Sequence, residues 1–203
     1  MASVGSDAQV VGDQVIDYEL AREAVRTLIR YIGEDPNREG LLDTPSRFIR
    51  AFDQWFSGYG QTPDDILQTT FNDVEGYDEL VMLRGVPFES HCEHHIAPII
   101  GKATIAYLPA RGVVGISKLA RLLDCYAKRL QVQEKMTAQI ADTLERCLKP
   151  RGVAVIITAE HHCMTTRGVH KHSSEMITSE MRGAFRDHPS LRSEIMALHI
   201  GGS

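Results

Sequence analysis

The chain of 203 residues is 43% hydrophobic and 24% charged, which gives enough apolar content for one globular domain with a small appendage. Its 22 Lys and Arg against 27 Asp and Glu leave a formal charge of −5, which argues against general nucleic-acid or membrane-surface binding, since both favour a basic excess. No apolar run reaches membrane-spanning length, and the N-terminus M-A-S-V-G-S-D-A-Q-V lacks the basic flank and apolar core of a signal peptide, so a cytoplasmic location is expected.

Residues 1–14 are small and polar and read as a flexible N-terminal tail. A helical period then places Ile16, Leu20, Ala24, Leu28 and Ile32 on one stripe, with Val25 and Ile29 beside it and Gly33 as a stop. A second helix opens at T-P-S-R, with Thr44 as N-cap and Pro45 in the first turn. Phe48, Ile49, Phe52, Trp55 and Phe56 are its expected buried face, and Gly58 ends it. These elements make an N-terminal helical region over 15–78.

From Glu79 the period changes to that of strands. E-L-V-M-L-R-G-V-P-F-E-S-H and I-I-G-K-A-T-I-A-Y-L-P read as a pair, the second alternating through Ala103, Ile105 and Tyr107. Two helices follow, G-I-S-K-L-A-R-L-L-D-C-Y-A-K-R-L and Q-V-Q-E-K-M-T-A-Q-I-A-D-T-L-E-R-C-L, jointed near Gln131, with Ser117 as the natural N-cap of the first. Pro150 and Gly152 close the pair, and V-A-V-I-I-T-A-E-H is a buried strand. A last strand is expected within 165–180, and a short helix in H-P-S-L-R-S-E-I-M-A-L. Residues 79–203 thus read ββααββ, an α+β domain with a four-stranded antiparallel sheet. Neighbours in an oligomer commonly cover the edges of such a sheet.

Two short segments concentrate metal-ligand chemistry. S-H-C-E-H-H-I-A-P, Ser90–Pro98, joins the first two strands, and E-H-H-C-M, Glu160–Met164, follows the buried strand. C-x-x-H is a tight-turn ligand spacing, which pairs Cys92 with His95. Continued strand parity puts His161 and Cys163 on one face and turns His162 away. Cys92, His95 and Cys163 then form a three-ligand zinc site with an open position, and His94 and His161 remain as free imidazoles able to move protons. A closed structural zinc site, with His94 or His161 as fourth ligand, uses the same residues, as does a Cys92–Cys163 disulfide. Cys125 and Cys147 lie in helical patterns among apolar neighbours and read as core. Spacing alone names no substrate.

With these residues assembled, the chain closely resembles GTP cyclohydrolase I, from about Ile16 to Leu198. The resemblance is carried by G-L-L-D-T-P-S-R, C-E-H-H, G-I-S-K-L-A-R, Q-V-Q-E and H-x-C followed by T-R-G, in the family's order and spacing. It implies that 79–203 is a catalytic tunnelling-fold domain and that Cys92, His95 and Cys163 hold zinc, one ion per subunit. It implies conversion of GTP and water to 7,8-dihydroneopterin triphosphate and formate, by hydrolytic opening of the guanine imidazole ring, Amadori rearrangement and pterin ring closure. In that chemistry His161 moves protons at the purine nitrogens, His94 protonates the ribose ring oxygen, and Ser117 matches a serine of the rearrangement. Glu134 matches the carboxylate that reads guanine, with Gln133 assisting. Lys118, Arg121, Arg167, Arg47 and Arg50 match the triphosphate contacts. Arg50 stands where bacterial members carry lysine, and His162 where tyrosine is frequent. The resemblance also implies a homo-oligomer, a decamer of two pentameric rings with sites at subunit interfaces. A non-catalytic structural-zinc or nucleotide-binding protein of the same fold is the alternative reading.

Overall fold

The computed structural model describes residues 9–11, 14–68, 70–71, 77–110 and 112–201. The chain divides into two compact units, Met1–Gln54 and Trp55–Ser203. Much of the expected tail lies outside the described residues. Within it, β1 (Gln9–Val11) pairs antiparallel with β2 (Gln14–Ile16).

In the first unit, α1 (Tyr18–Tyr31) opens at Asp17, whose carboxylate accepts from Leu20 N at 2.7 Å and so caps the helix. Ile16 belongs to β2, so the helix starts later than its apolar period suggested. The expected stripe is not the buried one. Val25 and Ile29 are buried, whereas Leu20 and Leu28 are 61% and 60% exposed. The period marks a broad apolar arc, and burial falls on its edge rather than its centre. In α2 (Thr44–Trp55) Pro45 is buried, and the Phe48 and Phe52 rings stack at 5.2 Å. Phe48 and Trp55 each stay 37% exposed, so the aromatic stripe expected as core is only half covered in one chain.

The second unit is built on one sheet. After α3 (Pro63–Ile66), β3 (Thr70–Phe71) pairs with a short strand, β6 (Val113–Val114). The expected strands are β4 (Val81–Cys92) and β5 (Pro98–Leu108), then β8 (Gly152–His161) and β9 (Glu175–Gly183), antiparallel in the order β4-β5-β8-β9. A two-residue strand, β7 (Leu130–Gln131), adds parallel to the end of β4.

The helices α4 (Ile116–Ala127) and α5 (Gln133–Leu148) cover one face of this sheet. Leu119, Leu122, Leu123, Met136, Ile140 and Leu144 form one core with Ile99, Ile105, Val155 and Ile157. On the other face, α7 (Ala184–Asp187) and α8 (Pro189–Ile200) bring Phe185 and Ile195 over Ala106, Leu108, Ala154 and Ile156. Both faces are therefore buried over the second half of β5, residues 103–108, and over most of β8. The alternation through Ala103, Ile105 and Tyr107 marks no solvent face here, because Thr104 and Ala106 are buried as fully. Among the described residues no helix is long and apolar enough to cross a membrane.

One buried hydrogen bond ties the approach to α4 to β5. Tyr107 Oη accepts from Val114 N at 2.9 Å, deep in the protein. Tyr107→Phe leaves that N–H without a partner, so unfolding stability should fall by about 1–3 kcal/mol. A urea midpoint equal to wild type would contradict this. The helix starts at Ile116 with Gly115 in the cap position and no side-chain capping bond. Ser117 therefore sits exposed in the first turn and is not the N-cap expected of it.

Candidate metal centre

The C-E-H-H segment turns tightly at the end of β4. Ile96 N donates to Cys92 O at 2.8 Å, Cys92 N donates to Ala97 O at 2.8 Å, and the chain reverses directly into β5. Ile96 adopts φ +53°, a conformation that a β-branched residue rarely takes, so strained backbone lies immediately beside His95. Ile99 of β5 stands opposite His161 of β8, which carries the second segment to the same end of the sheet.

Beyond His161 the backbone leaves the strand for a single helical turn, α6 (His162–Thr165). Strand parity therefore does not orient His162 and Cys163. The helical turn brings Cys163 to the first segment. One donor atom each from Cys92, His95 and Cys163 lie within 4.8 Å of one another. Cys92 is buried, Cys163 half-buried and His95 exposed. Cys92 Sγ is 3.6 Å from His94 Nδ1 and 4.0 Å from His95 Nδ1.

Burial and the facing Cys92 sulfur push the Cys163 thiol above its ordinary pKa. A cation between the two sulfurs removes that penalty, because it favours both thiolates. Two sulfurs and an imidazole are the donor types of a zinc site.

Four further expected residues gather at this end. The Arg167 guanidinium donates to His95 Nε2 at 3.1 Å. His161 is half-buried, its Nε2 lies 2.8 Å from Gln133 Oε1, and burial lowers its pKa against the opposing charge of Glu134. Glu134 is exposed in the first turn of α5, where the helix dipole favours a carboxylate. Gln133 is fully buried.

Ser117, Lys118 and Arg121 are not there. Tyr107, which anchors Val114, lies about 30 Å along β5 from Pro98 at ~3.3 Å per residue. From that far end α4 runs back, and its exit sets Leu130 and Gln131 against His91 and Cys92. Ser117 is then about 15 Å up the helix from Ala127. Lys118 and Arg121 line an open groove of about 300 Å³ with Gln61, Thr62, Asp65 and Ile66. Arg47 and Arg50 are exposed on α2 in the first unit, Arg47 at 3.2 Å from Asp43.

Sequence reasoning passed over Thr137 and Thr178. Both bond within the Gln133 network, and nothing in one sequence separates them from other threonines of a helix or strand.

A family profile described as GTP cyclohydrolase I matches residues 21–200. GTP cyclohydrolase 1 of Maricaulis maris (strain MCS10) is 55% identical over 180 residues, covering 89% of this chain and 88% of that protein. GTP cyclohydrolase 1 of Hyphomonas neptunium (strain ATCC 15444) is 57% identical over 176 residues, covering 87% and 85%. Among solved structures, the archaeosine synthase QueF-Like in the apo form is similar at a TM-score of 0.43 and 18% identity, covering 51% of this chain and 93% of that one.

Proposed function

The chain belongs to the GTP cyclohydrolase I family, and from that premise we propose that it is a zinc-dependent enzyme converting GTP and water to 7,8-dihydroneopterin triphosphate and formate. The observation that carries the reading is the convergence of Cys92, His95 and Cys163 with His161 and Arg167 at one end of the sheet. Cys92, His95 and Cys163 would hold the zinc. Zinc with three protein ligands supplies Lewis acidity that lets water act as a nucleophile near neutral pH.

The remaining residues bind, orient and move protons. His161 exchanges protons at the purine nitrogens during ring opening, and its half-buried setting keeps the ring neutral enough to accept one. His94, beside Cys92, protonates the ribose ring oxygen, and Ser117 serves the rearrangement that precedes pterin closure. Glu134 accepts from guanine N1–H and the 2-amino group, a donor pair that adenine lacks. Arg167 meets the triphosphate from the metal end of the chain.

Lys118, Arg121 and Ser117 take part from a second copy of the chain, whose α4 start closes the site. What supports this is their separation from the metal end within one chain. Arg47 and Arg50 add cations to the triphosphate in an adjacent subunit's site. A ring-shaped homo-oligomer, two pentamers face to face, supplies such neighbours to every site. The reading sets the enzyme in the cytoplasm, where thiol ligands stay reduced.

Product analysis tests the reaction directly. Incubating the purified protein with GTP should yield formate and a dihydropterin triphosphate by mass analysis, abolished by a strong chelator and restored by zinc. No product from a folded, zinc-loaded oligomer would overturn the proposal.

A further inference from the structure

His161 has two ring nitrogens, and the surrounding hydrogen bonds decide which one holds the proton. Gln133, which is 0% exposed, has both ends of its amide engaged. Its Nε2 lies 3.1 Å from Ile157 O, 3.0 Å from Met176 O and 3.1 Å from Thr178 Oγ1. Two of these are backbone carbonyls, which can only accept, so the end facing them is the NH₂ group. The other end, Oε1, therefore faces His161 Nε2 at 2.8 Å. An amide oxygen has no proton to give. In the neutral ring the proton must sit on Nε2, and Nδ1 keeps its lone pair.

The two threonines fix the same sense. Thr137 Oγ1 donates its one proton to the backbone O of Gln133 at 2.7 Å. Thr178 Oγ1, 2.7 Å from Thr137 Oγ1, must then be the donor of that pair. Having given its proton, Thr178 Oγ1 offers the Gln133 amide only lone pairs, as the two carbonyls do. A reversed amide would set an oxygen against two carbonyls and a hydroxyl without a free proton. Only one orientation turns the two amide protons toward these three acceptors.

We propose that Gln133 is a positioning residue that locks His161 in the Nε2–H tautomer, so that Nδ1 is the nitrogen that takes and returns protons. The inference rests on the reading of His161 as the acid–base histidine. Gln133 acts through that ring and does not need to touch substrate. A histidine held in the wrong tautomer offers an N–H where the reaction needs a lone pair, and acid–base catalysis by a positioned side chain is worth about 10²–10⁴ in rate.

The first readout needs no substrate. Solid-state ¹⁵N NMR of histidine-labelled, zinc-loaded protein, with His161→Gln used to assign the signals, should show the neutral His161 ring protonated on Nε2. A ring protonated on Nδ1 overturns the proposal even in a fully active GTP cyclohydrolase. An Nε2–H ring in a protein that fails to turn over GTP supports the lock and counts against the reaction. The second readout is kinetic. Gln133→Met, similar in length but without the amide, should lower kcat by about 10²-fold or more with KM within about twofold. A raised KM with unchanged kcat would make Gln133 a substrate contact and sink the proposal, as would a kcat equal to wild type. Should Gln133→Met fail to fold, the wild-type spectrum still decides.

Discussion

Cys163→Ala is expected to strip zinc from the protein and lower GTP turnover by at least about 10³-fold, whereas His161→Ala keeps the zinc and still loses about 10²–10⁴-fold. The two residues are separated by a single position, so the contrast isolates role from location. Cys163 is one of three donors that converge within 4.8 Å, and removing it leaves only Cys92 and His95. Two ligands from one tight turn cannot fill the tetrahedral preference of zinc. His161 is not among those donors, and its Nε2 is engaged by Gln133 instead. Truncating it leaves the metal ligands in place while removing the proton carrier. The measurements are zinc per chain by elemental analysis and the rate of formate release. Zinc retained in Cys163→Ala would remove that thiolate from the ligand set. Zinc lost in His161→Ala would instead point to the closed four-ligand site and take the free imidazole away from the chemistry.

The contrast between these neighbours also shows what a sequence can and cannot convey. Cys92 and His95 are legible because their spacing is local, set within one turn whose bonds close between Cys92 and Ala97. Cys163 joins them for a reason the sequence obscures: the strand ends at His161, and a helical turn rather than strand parity brings the sulfur in. Long apolar periods located β4, β5, β8, α4 and α5. They did not reveal that the second half of β5 is buried on both faces, because α7 and α8 return over its second face from the far end of the chain. They also misplaced the buried stripe of α1, where Val25 and Ile29 are covered instead of Leu20 and Leu28. β7, two residues long, is too short to carry any period. The support of His161 is less legible still. Gln133 is 28 positions from it in sequence, and the orientation of its amide depends on Ile157, Met176 and Thr178 in two separate strands.

Two inactive chains are expected to rescue one another. Cys163→Ala lacks a metal ligand, and Lys118→Ala/Arg121→Ala lacks the cations at the start of α4. Co-assembled in equal amounts, they should regain about one quarter of wild-type activity, while each alone stays near background. The number follows from the geometry. Tyr107 anchors the approach to α4 at the far end of β5, so Lys118 and Arg121 lie remote from Cys92 in their own chain. A site in the proposed ring then takes its metal half from one chain and its α4 half from the next. Each half is intact in one of two draws, and both together in one of four. If both halves came from one chain, every chain would carry a defect and no mixture could recover activity. The experiment requires co-expression with two different affinity tags, so that only mixed oligomers are assayed for formate release. Activity at about a quarter supports the shared site. Activity no higher than that of the single variants would confine the site to one chain and remove Lys118 and Arg121 from the triphosphate contacts, leaving Arg167 as the cation at the metal end.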